Sequence, residues 1–573
     1  MDDFNDGEIF GFWEGMNMRA YAADFETTTD PEDCRVWAFA CCQVGNPEFV
    51  VYGKDVAEFV GWCEQAANCE VYFHNLAFDG AFLFDHLLNS GWRVLRDGEK
   101  PSDMTFSALI GEQNQVYCIE MYFTPVRKVK LMDSLKVIPL SVEAMARAYG
   151  LDEGKGELDY TAYRAPGHEL TDEERDYIRR DVQIAAKVLH LHHQQGLRRM
   201  TAGSNALSDY KTMKGGNKGF RKVFPELAPE EDAFMRKAYR GGFTYVAPAH
   251  QHQLLGEGMV FDVNSLYPSV MYSCELPVGR PHWFDGDPSG AFYPTWIALG
   301  NFDFHLKPRH IPSLQLKNNP IFRSTEYISD GERQWITLTN VDYKLMCEQY
   351  DVTVNEWFGG YCFNTSAYEF RQYIDKWVEV KNQATVEGNG GMRQIAKLML
   401  NSLYGKFATR TTCQGKHPEL DDDGVVRYVF DEPTERKAVY LPVGVFVTSY
   451  ARYQTISSAQ KVYDRFVYAD TDSLHLLGTE VPACLDVDPV RLGAWKHECD
   501  FDAARFLHAK CYAEHEVGAD KLTVHVAGMP ARCHPGVTLE NFEVGACYPG
   551  KLYTKRVPGG IVLVEGDMQI RAT

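Results

Sequence analysis

Nowhere in this chain does an apolar run approach the roughly 20 residues that a membrane-spanning helix needs, so a membrane protein is excluded and a soluble one is expected. The N-terminal MDDFNDGEIF is acidic and lacks the basic stretch and apolar run of a secretory signal, which leaves a cytoplasmic protein as the expectation. Although there are 15 cysteines, none forms a CxxC pair; a zinc clamp is unsupported and reduced thiols are expected. Internal repeats and low-complexity tracts are missing too. Positive charge is scarce: 58 Lys and Arg against 79 Asp and Glu give a net charge of -21, which argues mildly against a phosphate-binding protein. That argument has to be met locally. Lys211, Lys214, Lys218, Arg221 and Lys222 in KTMKGGNKGFRK form one basic stretch, readable either as a strand of cations along a phosphate backbone or as a solvated linker.

What is present implies more than one domain, because 573 residues is several times the usual domain length of roughly 100–150. The first third alternates apolar runs with helical patterns. Val71–Phe73 reads as a strand followed by a helix from about Asp79, and Thr171-Asp-Glu-Glu174 is a capping signal before a long helix. This is an α/β pattern ending near residue 200. After the glycines of AYRGGFTYV, a mixed helix-and-sheet part begins at GMVFDVN, with a long helix from about 391 to 408.

Two carboxylate constellations stand out. In YAADFETTT, Asp24 and Glu26 share one face of a strand; Asn75 and Asp79 sit at a strand-to-helix junction; Tyr177 and Asp181 share one face of a helix. Oxygen ligands of this kind suit two Mg²⁺ ions that stabilise an attacking water and a leaving 3′-oxygen, with Tyr177 orienting the water. The second set pairs Asp262, at the end of an apolar strand, with Asp470 and Asp472 at the tip of a hairpin in VYADTDSLHL. Asp262 and Asp472 could hold two Mg²⁺ ions for nucleotidyl transfer, with Asp470 in support. Tyr267 follows on the next turn. The helix GMRQIAKLMLNSLYGKF carries Arg393, Lys397, Asn401 and Tyr404 on a polar stripe opposite Ile395, Leu398 and Met399, and Lys381 precedes it as a second phosphate cation.

Asp-x-Glu, Asn-x3-Asp and Tyr-x3-Asp in this order resemble the three motifs of the DEDD proofreading nucleases. DxxSLYPS, KLMLNSLYG and YADTDS resemble motifs A, B and C of family B DNA polymerases. The runs DFETTTDPEDCRVWAF, YFHNLAFDGAF, LRRMTAGSNAL and VPGGIVLV narrow the likeness to the protein-primed members of the phi-29 phage group, from about residue 20 to the end.

The resemblance implies an α/β plus α+β molecule: an RNase H-like DEDD exonuclease domain (21–200) behind an acidic extension (1–20), a linker with a YxGG motif (201–245) and a right-hand polymerase domain (246–573). Within the last it implies a palm with motif A at 259–270 and motif C at 466–477, fingers at about 371–407 and a thumb at about 525–573. Two insertions, at about 274–370 with LTNVD and about 408–440, would dock a terminal protein and close a ring around DNA.

By the same resemblance, Asp24, Glu26, Asp79 and Asp181 hold the exonuclease metals, with Lys155 assisting Tyr177. Thr27, His74, Asn75, Phe78, Ser134, Leu135 and Tyr160 hold a single-stranded 3′ end. Asp262, the Val263 backbone and Asp472 bind the polymerase metals; Val263, Tyr267, Lys381, Lys397, Asn401 and Tyr404 bind the dNTP, with Tyr267 excluding a 2′-hydroxyl. Tyr239, Gly241, Gly242, Arg393, Lys510 and Tyr512 contact primer-template DNA. The expected ions are Mg²⁺, two per site, or Mn²⁺. The expected partners are primer-template and single-stranded DNA, dNTPs and a terminal protein, with the enzyme a monomer in a bacterial host's cytoplasm. The extension with Asp2, Asp3, Asp6 and Glu8, VEGNGG before motif B, and LDDDG in the second insertion depart from the family pattern. Three other readings stay open: a DEDD exonuclease with a DNA-binding C-terminal half, a conventionally primed family B polymerase, and a non-enzymatic single-strand-binding protein.

Overall fold

The computed structural model describes residues 18–315 and 327–572, apart from 152, 153, 155, 157 and 161. Residues 1–17 of the acidic extension and Lys155 therefore lie outside the described residues. Alternation along Ala20–Thr27 sets the first sheet: Tyr21, Ala23 and Phe25 enter one apolar core and Ala20 and Ala22 another, so both faces of this strand are covered. It pairs antiparallel with Val36–Gln43 and parallel with Cys69–Phe73, which pairs parallel with Arg127–Asp133. The register Ala23↔Phe73↔Asp133 brings the carboxyl ends of three parallel strands to one edge, where α/β folds place their ligands.

Helix Asp172–Gln194 packs on this sheet and begins where the capping signal lies: Thr171 accepts from the Glu174 N–H, and Glu174 accepts from the Thr171 N–H. Helix Leu76–Asn89 starts three residues ahead of the expected Asp79, because left-handed Asn75 (φ 80°) turns the chain immediately after the strand.

Buried Glu174 also fixes the segment before its helix. Burial pushes its carboxyl up, but bonds from His168, Arg164 Nε (2.6 Å) and the Thr171 N–H outweigh that and hold it at about 2. Arg164 in turn donates to Asp159 O and Ala162 O and lies 4.3 Å from the Trp37 ring. Glu174→Ala strands a buried guanidinium, so a loss of about 3–5 kcal/mol in this part of the molecule is expected, measurable by denaturant titration.

The second half is built on an eight-stranded sheet. At its centre Gly258–Val263 lies between Ser473–Leu477 and Trp495–His508, with Phe466–Asp470 and Thr244–Val246 beyond the first and Cys511–Glu516 and Thr523–Val526 beyond the second. Helix Leu441–Lys461, apolar through LPVGVFV, is buried beside it, whereas Arg371–Val386 and Gly390–Phe407 pair with each other and keep one polar face. Strands Leu276–Asp285, Thr295–Leu306, Asp330–Thr339 and Tyr350–Ser366 form a separate antiparallel sheet of four strands.

The segment 201–245, expected as a linker, is instead largely helical: Ala202–Met213, Gly216–Val223 and Pro229–Arg236. Tyr210, Phe220 and Phe224 are fully buried and pack with Phe370 and Phe407, so the apolar face of this stretch outweighs its basic one. Two of its cations are used inside the protein, Lys214 on Glu369 (2.5 Å) and Arg221 on the Val439 carbonyl (2.8 Å), leaving Lys218 and Lys222 exposed.

Among the contacts that tie the halves together, two come from far along the chain. Strand Lys416–Leu420 adds to the first sheet through Lys416↔Ile110, and the C-terminal hairpin Cys547–Val557/Gly560–Gln569 reaches back so that Gly559 N–H donates to Asp85 (2.9 Å). Any Cβ on Gly559 would stand 2.1 Å from the Cys34 carbonyl oxygen, which is why the hairpin tip is glycine.

Candidate functional site

The first constellation assembles at the edge that the parallel strands create. Asp79, buried in the first turn of its helix, accepts from the Phe25 N–H (3.3 Å), and burial followed by the charge of Asp24 pushes its carboxyl well up. Glu26 and Asp181 are buried beside Tyr177, whose phenol is raised by burial and then by the charge of Glu26; its hydroxyl lies 2.6 Å from that of Tyr160. Four carboxylates are thus drawn into one partly dry place, the condition a divalent cation relieves, and the all-oxygen donor set fits Mg²⁺ or Mn²⁺.

Around them, exposed Asn75 and half-buried Phe78 and Thr27 leave polar and stacking groups open at the edge. His74 and Ser134 are not open in the same way. Ser134 is buried, donates to Phe73 O (3.0 Å) and lies 3.0 Å from His74 Nδ1, while His74 Nε2 meets Leu140 O at 2.7 Å. Buried Asp133, which the sequence reading missed, accepts from the N–H groups of Asn75 and Leu135, both at 3.0 Å, and so sets the left-handed turn at Asn75.

The second constellation sits at the centre of the eight-stranded sheet. Asp262 is paired with Ser473 across the ladder, and the Val263 N–H donates to the Asp472 carbonyl (2.8 Å). Burial and then the nearby charges of Asp472 and Glu498 push the Asp262 carboxyl up to about 7, against the pull of Lys496 and Lys397. The Asp472 carboxyl is also raised, by burial first and then by Asp470. Asp470 is engaged elsewhere: Thr244 Oγ1 (3.0 Å), the Tyr468 hydroxyl (3.3 Å) and Lys510 Nζ (3.2 Å to each oxygen) all reach it. It therefore braces the turn, and the pair left facing the cleft is Asp262 and Asp472, an all-oxygen set that again fits a hard divalent cation.

Over this pair stands helix Gly390–Phe407, with Arg393, Lys397 and Asn401 exposed and Tyr404 half-buried. Leu398, expected on the core side, is only half-buried; the core face is Ile395, Ala396, Met399, Leu400 and Leu403. Tyr404 stacks on Tyr267 at 3.9 Å between ring centroids. Lys381 lies close enough to Arg393, Lys397 and Lys496 that, after burial, their charges lower its pKa.

With both arrangements in view, the comparisons are specific. The family model for DNA polymerase type B, organellar and viral, matches residues 64–168 and 163–488. The DNA polymerase of Bacillus phage M2 is 41% identical over 97% of this chain and 100% of its own length. The chain belongs to the type B DNA polymerases. That of Streptococcus phage Cp-1 is 32% identical over 96% of this chain and 99% of its own. Phi29 DNA polymerase, solved with primer-template DNA and incoming nucleotide substrates, superposes with a TM-score of 0.91 at 39% identity, covering 97% of this chain and all of that one. This is a DNA polymerase of the phi29 type, in a family that works with divalent metals.

In this polymerase the YxGG glycines have separate tasks. A methyl on Gly242 would stand 2.5 Å from Thr471 Oγ1, so the chain can pass the Asp470–Asp472 turn only as glycine. Gly241 has open space, and its carbonyl accepts from Arg452 (2.9 Å). Arg452 is buried against Asp342 (2.8 Å), from the LTNVD run, and also donates to Arg240 O (2.7 Å); an arginine within the apolar GVFVTSYAR helix was the signal for it. Gly242→Ala should lower primer extension at least ~10-fold and stability by about 1–3 kcal/mol, since the added carbon overpacks a closed turn. Thr471→Gly in the same chain should restore much of both, Thr471 already being left-handed (φ 60°); extension assays with thermal melts read this.

Tyr239 lies near Tyr404, whose charge adds to the burial that raises its phenol. Tyr512 lies two residues beyond Lys510. Its ring is buried, stacked on His525 (4.6 Å) and Phe506 (5.1 Å), at the start of the strand that follows Lys510. Among the described residues the group of metal-type donors with ligand atoms within 4.8 Å of one another is Cys499, Glu514 and Glu516, which shares no residue with either constellation. No helix among the described residues is long and apolar enough to cross a membrane.

Proposed function

We propose that this polymerase extends a 3′-hydroxyl at Asp262 and Asp472 and removes mispaired 3′ ends at Asp24, Glu26, Asp79 and Asp181. The observation that carries the reading is the meeting of Asp262 and Asp472 on adjoining strands, each carboxyl raised by burial and by a neighbouring carboxylate, beneath a helix that presents Lys397, Asn401 and Tyr404. Two Mg²⁺ ions held there would supply charge stabilisation to the attacking and leaving oxygens; Mn²⁺ suits the same ligands. The chain's own groups do the rest. Lys381 and Lys397 hold the triphosphate, Tyr404 backs Tyr267, and the Tyr267 ring takes the role of barring a 2′-hydroxyl. Lys510, fixed through Asp470, steadies the primer strand.

For the editing site, Tyr177 orients water with its hydroxyl on Tyr160, Phe78 stacks a frayed base, and Asn75 and Thr27 offer hydrogen bonds. Support comes from phi29 DNA polymerase, which has been solved with single-stranded DNA and matches at a TM-score of 0.90 and 39% identity. We assign 21–200 to the exonuclease and 246–573 to the polymerase, with palm, fingers and thumb as set out above. The insertions would serve a terminal protein that primes replication of a linear phage genome in a bacterial cytoplasm, with strand displacement. The four-stranded sheet of the first insertion and the strand that the second adds to the exonuclease sheet favour that assignment over a conventionally primed enzyme.

The test is a 5′-labelled primer on a single-stranded template with Mg²⁺. Long products with dNTPs and shortened primer without them are expected. Degradation alone, with no extension under any dNTP concentration, would leave only the nuclease.

A further inference from the structure

Of the cations at the polymerase centre, Lys496 has so far been given no task. Lys496 lies on strand Trp495–His508, directly across the antiparallel ladder from Asp262. Cross-strand partners project to the same face, so its arm leaves the sheet beside the Asp262 carboxylate. Asp262 is thus flanked on one side by Ser473, next to Asp472, and on the other by Lys496. The root of the lysine is fixed: Trp495 before it is buried and donates through Nε1 to Ser458 Oγ (3.2 Å).

Four cations converge here from three elements. Lys381 comes from helix Arg371–Val386, Arg393 and Lys397 from helix Gly390–Phe407, and Lys496 from the sheet; the charges of the last three bear on Lys381, and those of Lys496 and Lys397 both bear on Asp262. Like charges gathered around a cleft repel at rest, and a polyanion placed among them removes that repulsion. Lys496 meanwhile rests on Glu498 Oε1 at 2.7 Å, with the two side chains 39% and 40% exposed. An ion pair this open to water is worth little and is readily exchanged.

We propose that Lys496 is a further triphosphate-binding residue, leaving Glu498 to hold the phosphates of the incoming nucleotide and the pyrophosphate released. The inference rests on the reading of Asp262 and Asp472 as the nucleotidyl-transfer centre. It adds a cation on the sheet side of the cleft to those the helices supply, so the triphosphate is gripped from both sides.

The experiment is single-nucleotide insertion on a primer-template with wild type, K496A and K496R, varying dNTP, alongside pyrophosphate-driven shortening of the primer, exonuclease activity and thermal melting. A charge-assisted hydrogen bond to phosphate corresponds to about a 10-fold effect. K496A should therefore raise the KM for dNTP by ~10-fold, with kcat within about 2-fold, and raise the pyrophosphate concentration needed for reversal by a similar factor. K496R should restore both, while exonuclease activity and melting stay as in wild type. An unchanged KM for dNTP in K496A overturns the proposal, as does a weaker grip on primer-template with dNTP and pyrophosphate dependence intact, which would mean a DNA-phosphate contact. A loss of melting temperature shared by K496A and K496R would make the residue structural. Wild-type enzyme that does not extend at all would instead defeat the underlying reading.

Discussion

Asp472→Ala is expected to abolish primer extension, by ~10³-fold or more, while leaving 3′-end digestion within about 3-fold of wild type. Asp262 and Asp472 converge on one cleft, and Asp470 cannot replace the lost carboxylate because Lys510, Thr244 and Tyr468 already hold it. Removing a like charge also relieves Asp262, so the variant should melt no lower than wild type, which separates lost chemistry from lost fold. The same electrostatics give a pH dependence. Burial and Asp472 raise the Asp262 carboxyl to about 7 in the metal-free protein, far above its range in an unfolded chain. For a carboxylate shifted in that direction, stability is lost as pH rises through the interval between the two values, and the repulsion is fully present above pH 7. Mg²⁺ should therefore raise the melting temperature more at pH 8 than at pH 6, and more Mg²⁺ should be needed for half-maximal extension as pH falls below 7. A flat Mg²⁺ response across that range would mean Asp262 does not meet the ion.

Asp24→Ala together with Glu26→Ala is expected to reduce digestion of a single-stranded 3′ end by ~10³-fold or more, with extension of a matched primer unchanged within about 3-fold. These carboxylates lie on a different sheet from Asp262, so the editing chemistry can be deleted without touching the synthetic site. With Asp24 gone, the Asp79 carboxyl loses the second-largest cause of its rise after burial and should titrate lower, visible by NMR. Extension past a mismatched terminus should increase. If the double variant still shortened primers at the wild-type rate, the first constellation would not be a nuclease.

Features set by local periodicity were legible from residue order alone. Asp24 and Glu26 share a face because a strand alternates, the helix at Asp172 begins where Thr171 and Glu174 can cap it, and Asp470 to Asp472 form a hairpin turn between two apolar arms. The stretch 201–245 was misjudged as a linker because its lysines and glycines are conspicuous, whereas Tyr210, Phe220 and Phe224 show their purpose only once Phe370 and Phe407 arrive to bury them. That His525 and Phe506 stack on Tyr512 is likewise visible only in the folded sheet.

The sequence by itself determined which groups this protein brings to chemistry: two sets of carboxylates in a fixed order, the tyrosines and cations beside them, and the family those motifs belong to. Only the tertiary structure decided how they are used. It put Lys496 beside Asp262, Asp342 and Arg452 behind Gly241, Thr471 against Gly242, and Lys416 beside Ile110 in the first sheet. The reason is physical: capping and alternation act over a few residues of chain, but desolvation, like-charge repulsion and steric closeness depend on neighbours that folding alone brings within reach.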